Sequence, residues 1–466
     1  MSKLLAPRSG QSGLTLKTIL FVLAADCCTA AAQAPRVQVK IAAPAPEMVW
    51  RYARPGAPCA SDDFSDVAVR PFLVNGARPG AYRVLWFAAN SRGYFASETP
   101  GPDRVPAEIA LTQFERRPGC DRWLHSERYP ESTPASYNTG LWMAAPFTAD
   151  GTNVYALVHN EFHGEWTGDA RWCARQDPSI YLPCDYWNLV SAFSTDAGRT
   201  FALRQIRQNE NVPAIAIAEP YAPDRAPPHP VPQGMVAQSN MIERDGFVYV
   251  LAQQFGTTAL VSASENGGVC LFRAALPLGS ATTWQGWAGR GAGWIEMPAS
   301  YPTSPRPPPC AKVLPGAFRF TWSYNPALQQ LIMIGTVSDP SYDSSCPAAD
   351  SSVGDDSDMA FVYMSATADL ANGQFNVVTP QTCLLRINWL NGWGRSWPSK
   401  IGSAYPSLLD PASPTLKPDG GTDLNFQFSG AQPYLYYTRL NSYALTRNLR
   451  DRDVVRWKLS VAPAAP

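Results

Sequence analysis

The chain has 466 residues and no formal net charge; 45% of residues are hydrophobic, 11% aromatic and only 16% charged. So neutral a chain lacks the basic footprint of a nucleic-acid binder, and it holds ample material for one large β domain or two to three smaller ones. With 44 Pro and 33 Gly interrupting short apolar runs, long helices are disfavoured and a loop-rich all-β protein is expected.

In chain order, Lys3, Arg8 and Lys17 precede the apolar run Thr18–Ala25, and small residues follow to Ala34. That order of charged, apolar and small residues is the pattern of a secretory signal, and the run is too short to span a bilayer. A signal over 1–34, a linker over 35–50 and a folded domain over 51–466 are expected, in a secreted or periplasmic protein. Cys27 hints at lipid anchoring, but Asp26 before it fits that poorly. Beyond the signal stand eight cysteines, an even count that in an exported chain favours disulfides over metal thiolates. Cys173 and Cys184 are the expected local bridge.

Five apolar strands recur in register: Arg83–Asn90, Val154–Asn160, Val248–Gln254, Leu331–Val337 and Tyr434–Arg439. Each follows a turn and another apolar strand, the turns being Asn75-Gly76, Asp150-Gly151, Asp245-Gly246, Asn325-Pro326 and Ser429-Gly430. Asn-Gly and Asp-Gly between apolar runs are strong hairpin signals. Further strands follow, such as Asn188–Phe193 and Phe201–Leu203. Four antiparallel strands repeated five times make a five-bladed β-propeller, in which radial repetition protects sheet edges. The turn within Ser194-Thr-Asp-Ala-Gly-Arg-Thr-Phe201 resembles the Asp-box of sialidase-type propellers, so Asp196 is read as a turn residue. Ser264-Glu-Asn-Gly-Gly268 is a degraded second copy.

The densest polar cluster is His159-Asn160-Glu161-Phe162-His163-Gly164, which holds two of the four histidines around one carboxylate. It is expected where the strand ending at Val158 empties into a loop, a common setting for functional groups. If first strands begin and second strands end at one propeller face, then Asp62, Asp63, Asp66, Arg70, Asn90, Arg92, Trp142, Asn160, Asn240, Trp322, Tyr405 and Arg439 share that mouth with the cluster. Amides, carboxylates and arginines match sugar hydroxyls, and tryptophan rings match apolar sugar faces. Cleaving a glycosidic bond by hydrolysis needs two carboxyl groups, one protonated and one ionised.

The fivefold layout, the early Asp62-Asp-x-x-Asp66 stretch and the closing segments Tyr405–Asp410 and Pro433–Arg439 resemble the five-bladed propeller glycosidases (arabinanase, xylosidase and fructosidase relatives). The resemblance spans roughly residues 50–460 as architecture. It implies a carbohydrate substrate and a catalytic aspartate in the first blade. Glu161 is expected as the general acid, tuned by His159 or His163, and Asp66 as the opposing base or nucleophile, with Asp63 its rival. Asp63, Arg70, Asn90, Arg92, Trp142, Asn160, Asn240, Trp322 and Arg439 are expected to bind substrate, Arg70 and Arg439 by clamping a carboxylated sugar.

No cofactor is called for, and no metal is assigned to the site. The run Asp355-Asp356-Ser-Asp358 is a candidate for structural Ca2+ without a defined ligand spacing. Two other functions use the same residues: a non-catalytic carbohydrate-binding propeller, and a metal-dependent propeller hydrolase or lyase working through His159 and His163.

Overall fold

The computed structural model describes residues 34–52, 65–76, 81–88, 92–95, 115–116, 124, 133–173, 184–207, 210–216, 221, 233–236, 238–255, 269–302, 310–314, 318–338, 346–353, 359–388, 401–441 and 451–465. The expected signal over 1–33, Asp62, Asp63, Asn90, Asp355, Asp356 and Asp358 lie outside these, as do Cys59 and Cys120; for Arg92 only the backbone is described. No helix among the described residues is long and apolar enough to cross a membrane.

The protein is all-β, with a few single-turn 3-10 helices. The turn signals read from the sequence all fall between paired antiparallel strands. Phe72–Asn75 pairs with Tyr82–Ala88, and Leu141–Thr148 with Val154–His163. Ile242–Arg244 pairs with Phe247–Phe255, Phe318–Asn325 with Gln330–Ser338, and Gly402–Leu409 with Tyr434–Leu440. Asp245 and Gly246 both have positive φ, as a two-residue turn matched to strand twist requires.

The first and fourth of these pairs extend into four-stranded antiparallel meanders. The second and third are fused into one eleven-stranded sheet by Gln233–Val236, parallel to Asp185–Ser194 on one side and antiparallel to Phe247–Phe255 on the other. Gly234 permits the junction, because a Cβ there would lie 1.7 Å from the Trp187 carbonyl oxygen.

Residues 35–50, expected as a linker, instead supply strands. Val37–Ile41 and Glu47–Trp50 both pair with Arg452–Pro463, so the N-terminal segment completes the last sheet. Alternating burial in Val37–Ile41 shows why: Val37 and Val39 face the core while Gln38 and Lys40 face out.

The core clusters run from sheet to sheet. Phe72 and Leu85 of the first pack with Phe147 and Tyr155 of the second; Tyr249 and Leu271 pack with Trp322 and Met333; Ile332 and Phe361 pack with Leu435 and Tyr437. Tyr436 and Val454 of the last sheet return to Leu73 and Trp86 of the first. Each sheet therefore buries both faces against neighbours.

A second device ties the turn ends of the sheets together. The excursion after Leu409 bonds Leu73 through Leu424, Thr148 through Asn425 and Tyr324 through Gln427. The buried Asp423 carboxylate organises it, accepting hydrogen bonds from Ser413, Asn425 and Gln427.

Candidate active site

The polar hexapeptide is strand, not loop. The strand Val154–His163 continues past Val158 because Asp185–Ser194 pairs with it over its whole length, with Glu161 opposite Trp187 and His163 opposite Asp185. Side chains alternate along a strand, so His159, Glu161 and His163 share one face. Asn160 and Phe162 point to the other, where Phe162 packs against Trp172 and Tyr221.

Glu161 is held between the two histidines. His159 donates from Nε2 to Glu161 Oε1 at 2.9 Å, and His163 donates from Nε2 to Oε2 at 3.0 Å. Burial pushes the Glu161 carboxyl up, but these two hydrogen bonds and the histidines' charge outweigh burial and bring it down to about 2. At neutral pH Glu161 is therefore ionised, and the general-acid role expected for it does not fit. Gly140 fixes the entry to this arrangement: its φ is +52°, and a Cβ there would lie 2.6 Å from the Trp142 ring and 2.8 Å from the Glu161 carbonyl oxygen.

Glu161 opens onto a pocket of about 80 Å³ that also gathers Asp66, Arg70, Trp142, His159, Trp187 and Tyr405. These come from the segment leading into the first meander, from the second hairpin and its third strand, and from the last sheet. Asp66 is fixed by Tyr405 Oη, which donates to Oδ1 at 2.8 Å, and by Arg452, which is wholly buried behind it. Trp142 and Trp187 flank the His159 ring, at centroid distances of 6.1 and 5.2 Å.

The pocket holds several polar atoms without hydrogen-bond partners among the described residues. Arg70 Nε, Trp142 Nε1, His159 Nδ1 and Trp187 Nε1 are buried without hydrogen-bond partners. Arg70 donates from Nη1 to the Ala144 carbonyl oxygen at 2.9 Å and forms no ion pair with a described carboxylate. Burial lowers its guanidinium to about 9. Buried polar atoms left unpaired cost on the order of 1–3 kcal/mol each, more when charged, so these four are available to hydrogen-bond a bound molecule.

Of the residues expected here, Asp66, Arg70, Trp142, His159 and Glu161 do meet. Others do not. Trp322 is wholly buried between sheets, its Nε1 donating to the Asn240 carbonyl oxygen at 2.8 Å. Asn240 in turn donates to the Trp322 carbonyl oxygen and accepts from Trp322 N, stitching the third hairpin to the fourth. Asn160 is buried on the far face of its strand and donates to the Thr139 carbonyl oxygen. Arg439, next to last in Tyr434–Leu440, is not among the pocket residues. His163 is buried behind Glu161 rather than in the pocket. It meets the pocket only through its hydrogen bond to Glu161.

Trp187, Gln238, Arg452, Glu165 and Asp185 were not singled out from the sequence. Asp185 and Trp187 had a usable signal: they are two apart at the start of an apolar strand, immediately after the cysteine of the expected bridge. That bridge, Cys173–Cys184, is present, with Cα atoms 5.6 Å apart, together with Cys270–Cys310 and Cys346–Cys383. Asp196 binds the backbone N–H groups of Arg199 and Thr200 within its own turn and is not part of the pocket.

No family model and no curated protein matches the chain. Among solved structures it is similar to propeller-type glycoside hydrolases. A family 117 glycoside hydrolase of Zobellia galactanivorans aligns at 9% identity over 92% of this chain and 91% of its own, with a TM-score of 0.42. The catalytic domain of a family 62 α-L-arabinofuranosidase of Coprinopsis cinerea aligns at 10% identity over 92% and 99%, with a TM-score of 0.37. An α-L-arabinanase of Cellvibrio cellulosa aligns at 10% identity over 84% and 90%, with a TM-score of 0.36.

Proposed function

We propose that this is an exported, carbohydrate-cleaving enzyme of the glycoside hydrolase type, built on a five-bladed propeller, with its active site in the pocket between Asp66 and Glu161. The observation that carries the reading is convergence. Two carboxylates from separate parts of the chain line one pocket with two tryptophans and a set of polar atoms unpaired among the described residues, the surroundings a sugar ring needs. The five hairpins, the core clusters that lead from the last sheet back to the first, and the strand that closes the last sheet support the blade count. The disulfides fit an oxidising compartment.

The roles follow from electrostatics. Glu161, held ionised by its histidines, is the base or nucleophile. Asp66, which accepts from Tyr405 and pairs with the buried Arg452, is the second carboxylate of the pocket. The reaction calls for no cofactor. Arg70, Trp142 and Trp187 bind the sugar, and Arg70, a buried guanidinium with no carboxylate partner among the described residues, favours a substrate bearing an acidic group.

One observation favours a second reading. With Glu161 unable to act as an acid, the Glu161–His159 pair resembles an oriented base, and Arg70 could neutralise a uronate carboxylate. Elimination would then break C5–H and C4–O, form a C4=C5 double bond, move the C5 proton to His159 and protonate the leaving oxygen, with Tyr405 the nearest donor.

A panel of neutral and uronate-containing polysaccharides tests both, read by release of reducing ends and by ultraviolet absorbance of an unsaturated product. Reducing ends without absorbance, lost in Glu161→Gln, support hydrolysis, while absorbance from uronate substrates alone supports elimination. Binding of the same glycans without any product would instead establish a lectin-like propeller.

A further inference from the structure

Behind Glu161, on the side away from the pocket, lies a second cluster that the proposed reaction does not use. His163 Nδ1 is 2.7 Å from Asp185 Oδ1 and 3.3 Å from Glu165 Oε1, and the three residues present one ligand atom each within 4.8 Å of one another. The Asp185 side chain is wholly buried, and among the described residues its only close polar contact is Oδ1 to His163 Nδ1, without well-formed hydrogen-bond geometry, while Oδ2 has no partner. A buried carboxylate aimed at such a cluster without hydrogen bonds is rare unless it has an ionic task.

The surroundings hold the three groups firmly. Strand pairing sets Asp185 opposite His163. The single turn Gly164–Trp166 swings Glu165 back toward the ring, and Trp166 stacks on the imidazole at 3.7 Å. The Cys173–Cys184 disulfide and the bond from Gly164 N to the Cys184 carbonyl oxygen fix the backbone next to Asp185. Three carboxyl groups, those of Glu161, Glu165 and Asp185, face this one imidazole, Glu161 being shared with His159.

We propose that His163 Nδ1, Glu165 and Asp185 bind a divalent cation. One nitrogen and two carboxylate ligands suit Zn2+ or Mn2+ better than Ca2+, which takes six to eight oxygens. Ligand bonds of about 2.0–2.2 Å require the 2.7 Å approach to widen by a few tenths of an ångström, a change that side-chain rotation supplies. With Nδ1 on the ion, the imidazole keeps its proton on Nε2 and donates it to Glu161. The pocket carboxylate thereby becomes the outer partner of a metal-bound histidine, an arrangement that fixes ring orientation. The ion would position Glu161 without touching substrate.

The test is calorimetric titration of the full chain, stripped with chelator, with ZnCl2, MnCl2 and CaCl2 in turn, for wild type, Asp185→Asn and Glu165→Gln. Circular dichroism checks that each variant is folded. The expected result is one Zn2+ or Mn2+ per chain, Ca2+ binding far more weakly, and a loss of at least about tenfold in affinity in either variant. Absence of stoichiometric binding to wild type would overturn the proposal and leave a protonated His163 as the only cation of the cluster. So would variants that bind like wild type. If Asp185→Asn does not fold, Glu165→Gln decides alone, because Glu165 is partly exposed. The readout is binding, so it stands or falls apart from any glycan-cleaving activity.

Discussion

His159 and His163 lie two residues either side of Glu161, on the same face of one strand, and each donates to one of its oxygens. Their environments differ completely. His159 sits in the pocket between two tryptophans, with Nδ1 buried and unpartnered. His163 is sealed behind the carboxylate, its other nitrogen turned to Asp185 and Glu165. Burial pushes His163 down, but the facing carboxylates overcome it and raise it well above 6.5. Burial likewise pushes Asp185 up, to about 8, against the pull of His163. The two shifts belong to one coupled pair, since the Asp185 charge is the largest influence raising His163. Symmetry in sequence thus becomes asymmetry in space: one histidine faces the pocket, the other is sealed behind Glu161.

The largest expected effect breaks the pair at its centre. Glu161→Gln removes the ionised carboxylate while keeping its shape, and turnover should fall by about a thousandfold or more. Comparable turnover in the variant would remove Glu161 from the reaction. His159→Gln should cost kcat with little change in stability, and His163→Gln should do the reverse. Thermal unfolding and steady-state kinetics on both variants read the contrast, and equal profiles would erase it.

Acid unfolding sharpens it next. A carboxylate brought from 4.5 to about 2 contributes roughly 3 kcal/mol to stability. Since the folded-state value is the lower one, this contribution is complete above about pH 4.5 and is lost as pH falls toward 2. The His163 contribution has the opposite sign, being complete below 6.5 and lost as pH rises through its raised folded value. Wild type should therefore lose stability between pH 5 and 2 faster than Glu161→Gln, and parallel curves would contradict the ionised, twice-bonded carboxylate. Replacing Cys173 and Cys184 by Ser should cost about 3 kcal/mol by the loop-entropy argument. It should also loosen Asp185 relative to His163, seen as a shift of the His163 titration by NMR.

Much of this was legible before any coordinates. Turn chemistry at Asp150-Gly151 and Asp245-Gly246 located hairpins because positive φ is demanded there and few residues supply it. Register across the repeats brought Asp66, Arg70, Trp142 and Glu161 to one pocket. The same logic failed for Trp322 and Asn240. A strand has two faces, and repeat register gives only a position along it; Trp322 took the face that packs between sheets. It failed for residues 35–50 because pairing with a strand more than 400 residues away leaves no local mark. The polar alternation His-x-Glu-x-His was itself a strand period, hidden because polarity suggested a loop. Asp185 left a mark beside Cys184, whereas Glu165 could be found only once the Gly164–Trp166 turn carried it back to His163.

The smallest effect probes where the boundary between the two sides runs. Trp166 is more than half exposed, and one face of its indole covers the His163 imidazole at a tilt of 22°. Removing it with Trp166→Ala should cost about 1 kcal/mol of stability, the scale of a single aromatic stack. On the supporting side of Glu161 it can reach the reaction only through His163, so KM for a glycan should stay unchanged while the acid-unfolding curve shifts slightly. An exposed tryptophan close to a sugar site is also a ready stacking platform. If KM rose severalfold for long oligosaccharides but not for short ones, Trp166 would belong to an extended binding cleft, and the division between its two histidines would lie one turn further along the chain than the pocket lining indicates.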